Sequence, residues 1–498
     1  MKKHFNFKRI LTSFLAVVIT LTCFAVAPAA AVQMTDESTY GFISEYKDFY
    51  ENYKEAVDTV VEGALNMQTT FKLAQYKIPI EDLLKFLDVV KHTHPELFYI
   101  SERSMRSTTT GTDGKEYVST LVLHWGKFIY DDETGDQIGE ITYTDEEVLA
   151  MRKTFVEKAQ WYLDKVDDSM SDFEKALVLH DALVMNSSYL ISGAIYDLMV
   201  EGRGKCYGYS EVYSYLLAQV GIYSEIVESD SMFHQWNKVK IGEHYYHVDV
   251  TWDDSVPDSP GFVRHTYFML SDSKIQSLSN PHYDYVSDFP SDDTSFDESY
   301  FHKINTQFSY ANGAFYVVDN NKEVKAMQIY NSENDSYESV IDYSDVTWTA
   351  SSGGFYSRMF MSLDVYDGFL YMNTQNMIIA FDTLTGEMST FAENTAEHSF
   401  YGLRVIDGKV YAAMADTPNE QAQLQYIGDC LTRELIMGDL NGDNLVTIED
   451  VTIMQRALAE FIALNPVQLE CADFNRDGVV NIRDVTAMQR FLASYTDN

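Results

Sequence analysis

The sequence predicts a multidomain α+β chain. A helical N-terminal region passes into strands, a mixed α and β middle follows, then a β-rich repeat region and a small all-α calcium-binding unit at the C-terminus. Three observations lead there. At 498 residues the chain is too long for one compact core. After residue 300 the composition turns to tyrosine-rich strand patterns. Near the end an acidic loop followed by a helix is written twice.

The first segment concerns location rather than fold. Lys2, Lys3, Lys8 and Arg9 precede an apolar run from Ile10 to Val26, and Ala29-Ala30-Ala31 supplies small residues for a peptidase. This is the layout of a signal peptide over residues 1–31, cut near Ala31, and it predicts a secreted, extracellular protein. A membrane anchor is the competing reading, but the run is short, carries threonines and ends in a cleavage site. With 36 Lys+Arg against 76 Asp+Glu, the net charge is −40, and removal of the leader makes it more negative still. Such a surface repels nucleic acid and anionic membrane and attracts calcium. Beyond Cys23 of the leader the cysteines are Cys206, Cys430 and Cys471, too few for a disulfide scaffold. Cys430 and Cys471 flank the small C-terminal unit and either bridge or stay reduced. In both cases Cys206 has no disulfide partner.

Residues 35–143 read as an α+β region. Tyr46, Phe49 and Tyr53 recur at helical spacing, and Leu83, Leu84, Leu87, Val90 and Lys91 continue a second amphipathic stretch until His94-Pro95. Strand patterns follow at Tyr117-Val118, Leu121-Val122-Leu123 and Phe128-Ile129-Tyr130, separated by the turns Thr112-Asp113-Gly114 and Glu133-Thr134-Gly135. Residues 144–295 form the mixed middle. A helix starts near Thr144, and Ser171 with Glu174 makes a capping box for another, whose Phe173, Leu177, His180 and Val184 share one face. A histidine on that face reads as a packed, hydrogen-bonded side chain rather than a catalyst. Over 301–428, Asn312-Gly313, Asp367-Gly368 and Asp407-Gly408 each open a strand ending in tyrosine, 55 and 40 residues apart. The spacing suits propeller-like blades, but three units do not close a ring, so a sheet stack or sandwich stands beside it. Aromatics such as Trp348, Tyr356 and Tyr371 there either bind a ligand or pack a core.

The middle region carries a thiol, an imidazole and a carboxylate in order. Cys206 follows Gly202-Arg203-Gly204-Lys205 and precedes Val212, Leu216 and Val220 on one helical face, so the thiol opens a helix. The glycines permit a tight turn, and the helix dipole and Lys205 favour a thiolate. Downstream, Phe233 to Lys240 and Tyr245 to Val250 alternate as two strands of a hairpin that brings His234 and Asp249 to one place. His247 is a rival base. His234 is preferred because the imidazole must lie between thiol and carboxylate, with His247 placed to support Asp249.

From about Ser171 to Tyr285 the sequence resembles the transglutaminase-like superfamily of papain-like cysteine enzymes. The residues are Gly204-Lys205-Cys206-Tyr207-Gly208-Tyr209, Gly221-Ile222, His234-Gln235-Trp236-Asn237 and Val248-Asp249-Val250-Thr251-Trp252-Asp253-Asp254. Val250 stands where the family often has proline, and Glu228-Ser229-Asp230 replaces a common glycine. The resemblance implies a papain-like α+β core in which Cys206 is the nucleophile, His234 the general base and acid, and Asp249 the orienting carboxylate. It implies no cofactor for catalysis and a protein or peptide substrate, with peptidase-like hydrolysis favoured over amide transfer. An inactive adaptor is the alternative.

In the C-terminal unit Asp439, Asn441, Asp443, Thr447 and Asp450 recur 34 residues later as Asp473, Asn475, Asp477, Asn481 and Asp484. Oxygens at this spacing surround a hard cation, with the carbonyls of Leu445 and Val479 completing two calcium shells. Asn444 holds the tight-turn place that Gly478 fills in the second loop. After each loop comes one helix, Val451 to Ala459 and Val485 to Ala493. This duplicated unit, residues 436–498, resembles a type I dockerin. The resemblance implies that its helices dock onto a cohesin module of a scaffoldin. The chain would then sit in a cellulosome, close to plant or cell-wall polysaccharide. Ile448-Glu449 and Ile482-Arg483 differ in charge where dockerins often show small hydroxyl residues.

Overall fold

The computed structural model describes residues 46–495 apart from 102, 132–133, 135, 320–325, 343–345, 350–354, 358–359, 395–397, 418–419, 421, 433–434 and 465. The leader at 1–31, the start of the helical pattern at Thr35 and the turn residues Glu133 and Gly135 lie outside the described residues, as does the side chain of Tyr356. No described helix is long and apolar enough to cross a membrane.

Helix α1 (Lys47–Leu65) buries Ala56, Val57, Val60, Val61 and Ala64, a stripe at helical spacing, and packs on α2 (Leu83–Thr93), which ends where Pro95 forbids continuation. The stretch between them is not wholly helical. Strand β1 (Thr70–Lys72) joins β2 (Met105–Thr110) and β3 (Glu116–Val122) in an antiparallel sheet of order β1-β3-β2. Strands β4 (Gly126–Tyr130) and β5 (Gln137–Thr142) form a separate hairpin. Helix α3 (Asp145–Leu163) starts on a Thr144–Glu147 capping box and α4 (Asp172–Met185) on the Ser171–Glu174 box. Almost every residue of α4 is buried, so it is a central rod rather than an amphipathic one.

The short strands β6 (Ser188–Tyr189) and β7 (Arg203–Gly204) pair in parallel around α5 (Ile195–Glu201) and lead into α6 (Cys206–Gln219). An antiparallel meander follows: β8 (Ser224–Ser229), β9 (His234–Ile241) and β10 (His244–Val248), with α6 packed on β8 and β9. One helical turn, α7 (Val250–Asp253), and α8 (Asp272–Ser277) complete this part.

A fully buried ionic network ties these elements together. His180 on α4 is 0% exposed, with Nδ1 2.8 Å from Asp181 Oδ1 and Nε2 3.2 Å from Asp253 Oδ2. Asp181 also receives His265 Nε2 at 2.9 Å and the Phe308 N–H at 2.7 Å, while His265 Nδ1 donates to the Ile304 carbonyl. Both His180 nitrogens face carboxylate oxygens, so both carry protons.

The remaining strands are β11 (Ser309–Ala311), β12 (Ala314–Val318), β13 (Ala326–Asn331), β14 (Ser336–Asp342), β15 (Thr347–Thr349), β16 (Phe355–Ser357), β17 (Leu363–Tyr366), β18 (Phe369–Asn373), β19 (Met377–Asp382), β20 (Met388–Glu393), β21 (Ser399–Ile406), β22 (Lys409–Ala415) and β23 (Gln423–Asp429). They make four antiparallel sheets in chain order, and among the described residues no pairing joins one sheet to the next. Among the described residues they form no closed ring of blades; the sheets stack through shared cores. At Asn312-Gly313, Asp367-Gly368 and Asp407-Gly408 both φ values are positive, the geometry of a type I′ hairpin turn. In the β17–β20 sheet, Leu370, Met372, Ile379 and Phe381 enter a core shared with β12, β13 and Trp348. Tyr371, Ile378 and Ala380, on the alternate face, enter a second core with Phe400, Leu403 and Val410. Trp348 and Tyr371 are thus interior packing. The sheets also bear on the middle region: Gly402 has φ +147, and a Cβ there would lie 2.0 Å from the Pro260 carbonyl oxygen.

The C-terminal unit is helical: α9 (Ile448–Leu458), α10 (Pro466–Ala472) and α11 (Ile482–Tyr495), with α9 against α11. Leu440, Val451, Met454, Cys471, Val485 and Met488 make its core. Cys430 belongs to the core of the last β-sheet, together with Tyr371. Among the described residues no disulfide joins Cys430 and Cys471.

Candidate active site

The turn before Cys206 is pinned from both sides. Gly202 ends α5 at φ +67, where a Cβ would lie 2.5 Å from the Asn186 carbonyl oxygen, so the position admits only glycine. Lys205 then caps α6 with extended backbone and Cys206 is its first helical residue. Nearly all of α6 beyond its first turn is buried, so the helix is fixed and its N-terminal end presents a partly exposed thiol. The backbone N–H groups of that first turn have no intrahelical acceptors.

His234 opens β9 and Asp249 follows β10, two strands in register with Asn237 opposite Val248. Asp249 is also the cap of α7, its Oδ1 accepting the Trp252 N–H at 3.1 Å. The meander brings the three groups together. His234 Nε2 lies 2.7 Å from Asp249 Oδ2, and the Cys206 thiol is close enough to the ring to help raise its pKa. Trp252 and Trp236 stack on the imidazole with centroids at 5.0 and 5.7 Å, so it cannot turn away from either partner. Burial draws the His234 pKa down, but the Asp249 charge and hydrogen bond, with the thiol contact, outweigh it and hold the imidazole up to about 10. Asp249 lies well below the usual carboxylate range: burial opposes this, and His234 and then His282 overcome it.

His247 is elsewhere. Its Nδ1 accepts the Trp236 indole N–H at 2.9 Å and its Nε2 meets Asp272 Oδ1 at 2.8 Å. Burial carries its pKa down to about 4, with Asp272 pulling the other way. The expectation that His247 supports Asp249 is corrected: it braces Trp236, which in turn stacks on His234. The histidine on Asp249 is His282, whose Nε2 lies 2.8 Å from Asp249 Oδ2. Sequence reasoning missed it because it sits in irregular chain after α8, with no periodicity to place it. His180 is packed and hydrogen-bonded as expected.

Cys206 and His234 line a cleft of about 1790 Å³. Tyr189, Ile191, Tyr207 and Phe233 contribute aromatic and aliphatic surface, and Lys205 and Glu211 contribute charge. Phe233, immediately before His234, is 92% exposed and has φ +51, a left-handed conformation uncommon for a bulky residue.

The two acidic loops share one internal bonding scheme. Asp450 Oδ1 accepts the Leu440 and Asn441 N–H groups and Oδ2 the Thr447 N–H, while Asp484 takes those of Asn475 and Asn481. Asp439 is held by the N–H groups of Gly442 and Asn444, and Asp473 by those of Asp477 and Gly478. Asp443 and Asp477 accept from the N–H groups of Leu445 and Val479, whose side chains are exposed. Asn444 adopts φ +65, matching Gly478 at φ +82. Burial raises the Asp439 pKa and, after two compensating backbone hydrogen bonds, the charges of Asp450 and Asp443 raise it further. Such a crowd of carboxylate oxygens fits a hard dication, and Asp439, Asn441, Asp443, Thr447 and Asp450 with the Leu445 carbonyl would hold it, as would Asp473, Asn475, Asp477, Asn481 and Asp484 with the Val479 carbonyl.

Residues 437–493 match the family model described as the dockerin type I domain. No curated protein sequence matches the chain. Solved structures similar to part of it include a crystal structure described as a TGase, with 12% identity, TM-score 0.19, and coverage of 29% of this chain and 43% of that one. Another is a protein from Cytophaga hutchinsonii put forward as a cysteine protease, with 15% identity, TM-score 0.17, and coverage of 30% and 62%. A third, from Parabacteroides distasonis, is put forward as a protease, with 14% identity, TM-score 0.16, and coverage of 29% and 35%. The chain thus spans less than two thirds of each.

Proposed function

We propose that this chain is a secreted cysteine enzyme that hydrolyses amide or peptide bonds, carried into a cellulosome by a calcium-dependent unit that binds the cohesin of a scaffoldin. The proposed catalytic domain is 144–295, between an α+β region at 35–143 and the sheets of 301–428, with the docking unit at 436–498. One observation carries the reading: the Cys206 thiol, at a helix N-terminus, lines one cleft with an imidazole that lies 2.7 Å from a buried carboxylate.

The chemistry follows from those contacts. An imidazole held this basic is protonated at rest and serves as counter-ion to a Cys206 thiolate. The thiolate sulfur bonds to the carbonyl carbon, and the N–H groups opening α6 face the developing oxyanion. His234 passes its proton to the departing amine as the C–N bond breaks. Water then attacks the thioester, its proton going to His234 and its hydroxyl to the acyl carbon, which restores the thiolate. Asp249 keeps the imidazole oriented throughout and stays ionised. Catalysis requires no cofactor in this scheme; the calcium ions serve the docking unit. Ile448 and Ile482, each 64% exposed at matching places in the duplicate, offer apolar surface to a cohesin.

Alkylation of Cys206 by iodoacetamide near neutral pH tests the reading, alongside turnover of unstructured proteins and glutamine peptides by the wild type and Cys206→Ala. Fast labelling that His234→Ala abolishes, with peptide cleavage lost in Cys206→Ala, is expected. A thiol no more reactive than that of the His234→Ala protein, with no turnover, leaves an adaptor and refutes the enzyme.

A further inference from the structure

The Asp249 carboxylate serves two histidines, and the second has no role in the scheme above. His282 is fully buried. Its backbone N–H donates to the Ile275 carbonyl of α8 at 3.3 Å, which anchors an otherwise irregular segment. The ring lies in an aromatic box, with centroids 4.4 Å from Trp252, 4.6 Å from Trp236, 5.2 Å from Tyr267 and 5.5 Å from His234. Its Nε2 is 2.8 Å from Asp249 Oδ2, the oxygen that also receives His234 Nε2 at 2.7 Å.

The two nitrogens of His282 are in opposite situations. Nε2 faces a carboxylate and must donate to it. Nδ1 is buried with no hydrogen-bond partner among the described residues. A proton there would be a buried donor with nothing to bind, so the ring adopts the Nε2–H tautomer. One oxygen of Asp249 therefore divides its negative charge between two N–H donors, while Oδ1 is held by Trp252.

Resting on the triad proposed above, we infer that His282 is a positioning residue for the catalytic carboxylate: its Nε2–H fixes Asp249 Oδ2 and limits the charge that Asp249 presents to His234. The charged or titratable groups facing it are Asp249 and His234 directly, Tyr267 from the following segment, and His247 with Asp272 behind Trp236. Of these, Asp249 alone bonds His282. Removing the His282 donor leaves the whole Asp249 charge to His234, which then holds its proton to higher pH.

The rate of Cys206 alkylation as a function of pH reads that proton without any substrate. In His282→Phe, which keeps an aromatic ring and drops the donor, the alkaline limb of the profile moves upward by about half a pH unit or more. His282→Gln, which keeps an N–H at similar reach, returns it towards the wild-type position. A limb unmoved in the Phe variant, moved downward, or moved equally in both variants overturns the inference. A second measurement needs no variant. In the intact protein with labelled histidines, the ring ¹⁵N shifts at neutral pH report His282 as the Nε2–H tautomer, and a proton on Nδ1 overturns the proposal. The two readings fail separately. A wild-type thiol no faster than that of His234→Ala removes the enzyme, while the ¹⁵N measurement still decides the His282–Asp249 bond.

Discussion

Replacing His180 by leucine tests the buried ionic network that joins α4, α7 and the entrance to the β-sheets. Leucine fills a similar volume but removes the imidazole nitrogens 2.8 and 3.2 Å from Asp181 Oδ1 and Asp253 Oδ2, leaving two buried carboxylates with only His265 and the Tyr267 N–H at those oxygens. Breaking a buried charge pair from one side costs about 3–5 kcal/mol. Part of that cost titrates. Burial lowers the His180 pKa, but Asp181 and Asp253 more than offset it and raise it from 6.5 to about 9. The folded state therefore binds this proton more tightly than the unfolded one. Its contribution is complete below pH 6.5 and is lost as the pH rises through 9. A shift of that size is worth about 3 kcal/mol. The stability gap between wild type and His180→Leu, from urea unfolding followed by tryptophan fluorescence, should be widest at pH 6 and shrink by about 3 kcal/mol by pH 10. A gap of the same width at both pH values would show that His180 is not a buried cation, and the reasoning would fail.

Three further outcomes are expected. Asp249→Asn removes the charge that opposes burial at His234, so the imidazole, now held up to about 10, should fall below its ordinary 6.5; the alkaline limb of Cys206 alkylation moves down by more than about three units, and an unmoved limb would separate Asp249 from His234. Calcium at a hundredfold excess over Kd should stabilise the C-terminal helices by about 2.7 kcal/mol per site, seen as a melting shift reversed by chelator and absent in the Asp439→Ala/Asp473→Ala double variant; equal melting with and without calcium rules the ion out. Phe233→Gly releases a left-handed φ of +51 while removing a side chain that is 92% exposed. It should stabilise the fold by about 0.5–1 kcal/mol and raise KM for any peptide cleaved, whereas destabilisation would mean that the ring is packed.

What the sequence made legible was local. The capping boxes at Thr144 and Ser171, the helix opened by Cys206, the hairpin carrying His234 and Asp249, and the left-handed Asn444 each depend on residues within a few positions of one another. What escaped depends on distant partners. Strand β2, Met105–Thr110, is exposed on both faces and shows no apolar alternation, so nothing marked it except its partner β3. His282 meets Asp249 across 33 residues, and His265 meets Asp181 across 84. His247 was misplaced because strand alternation gives the face of a side chain but not the acceptor, Asp272, that a later helix brings to it.

The double-sided burial of the β17–β20 sheet also sets an order of events. During synthesis, β11–β16 emerge with one apolar face waiting for Leu370, Met372, Ile379 and Phe381. Once these arrive, Tyr371, Ile378 and Ala380 are bare in turn until β21 and β22 leave the ribosome. Neither half of this region has a finished interior without the central sheet, and the central sheet has none without both. The three layers therefore commit together, after residues 144–295 have been made and before the C-terminal helices exist, so a nascent chain stalled here would be a client for chaperones.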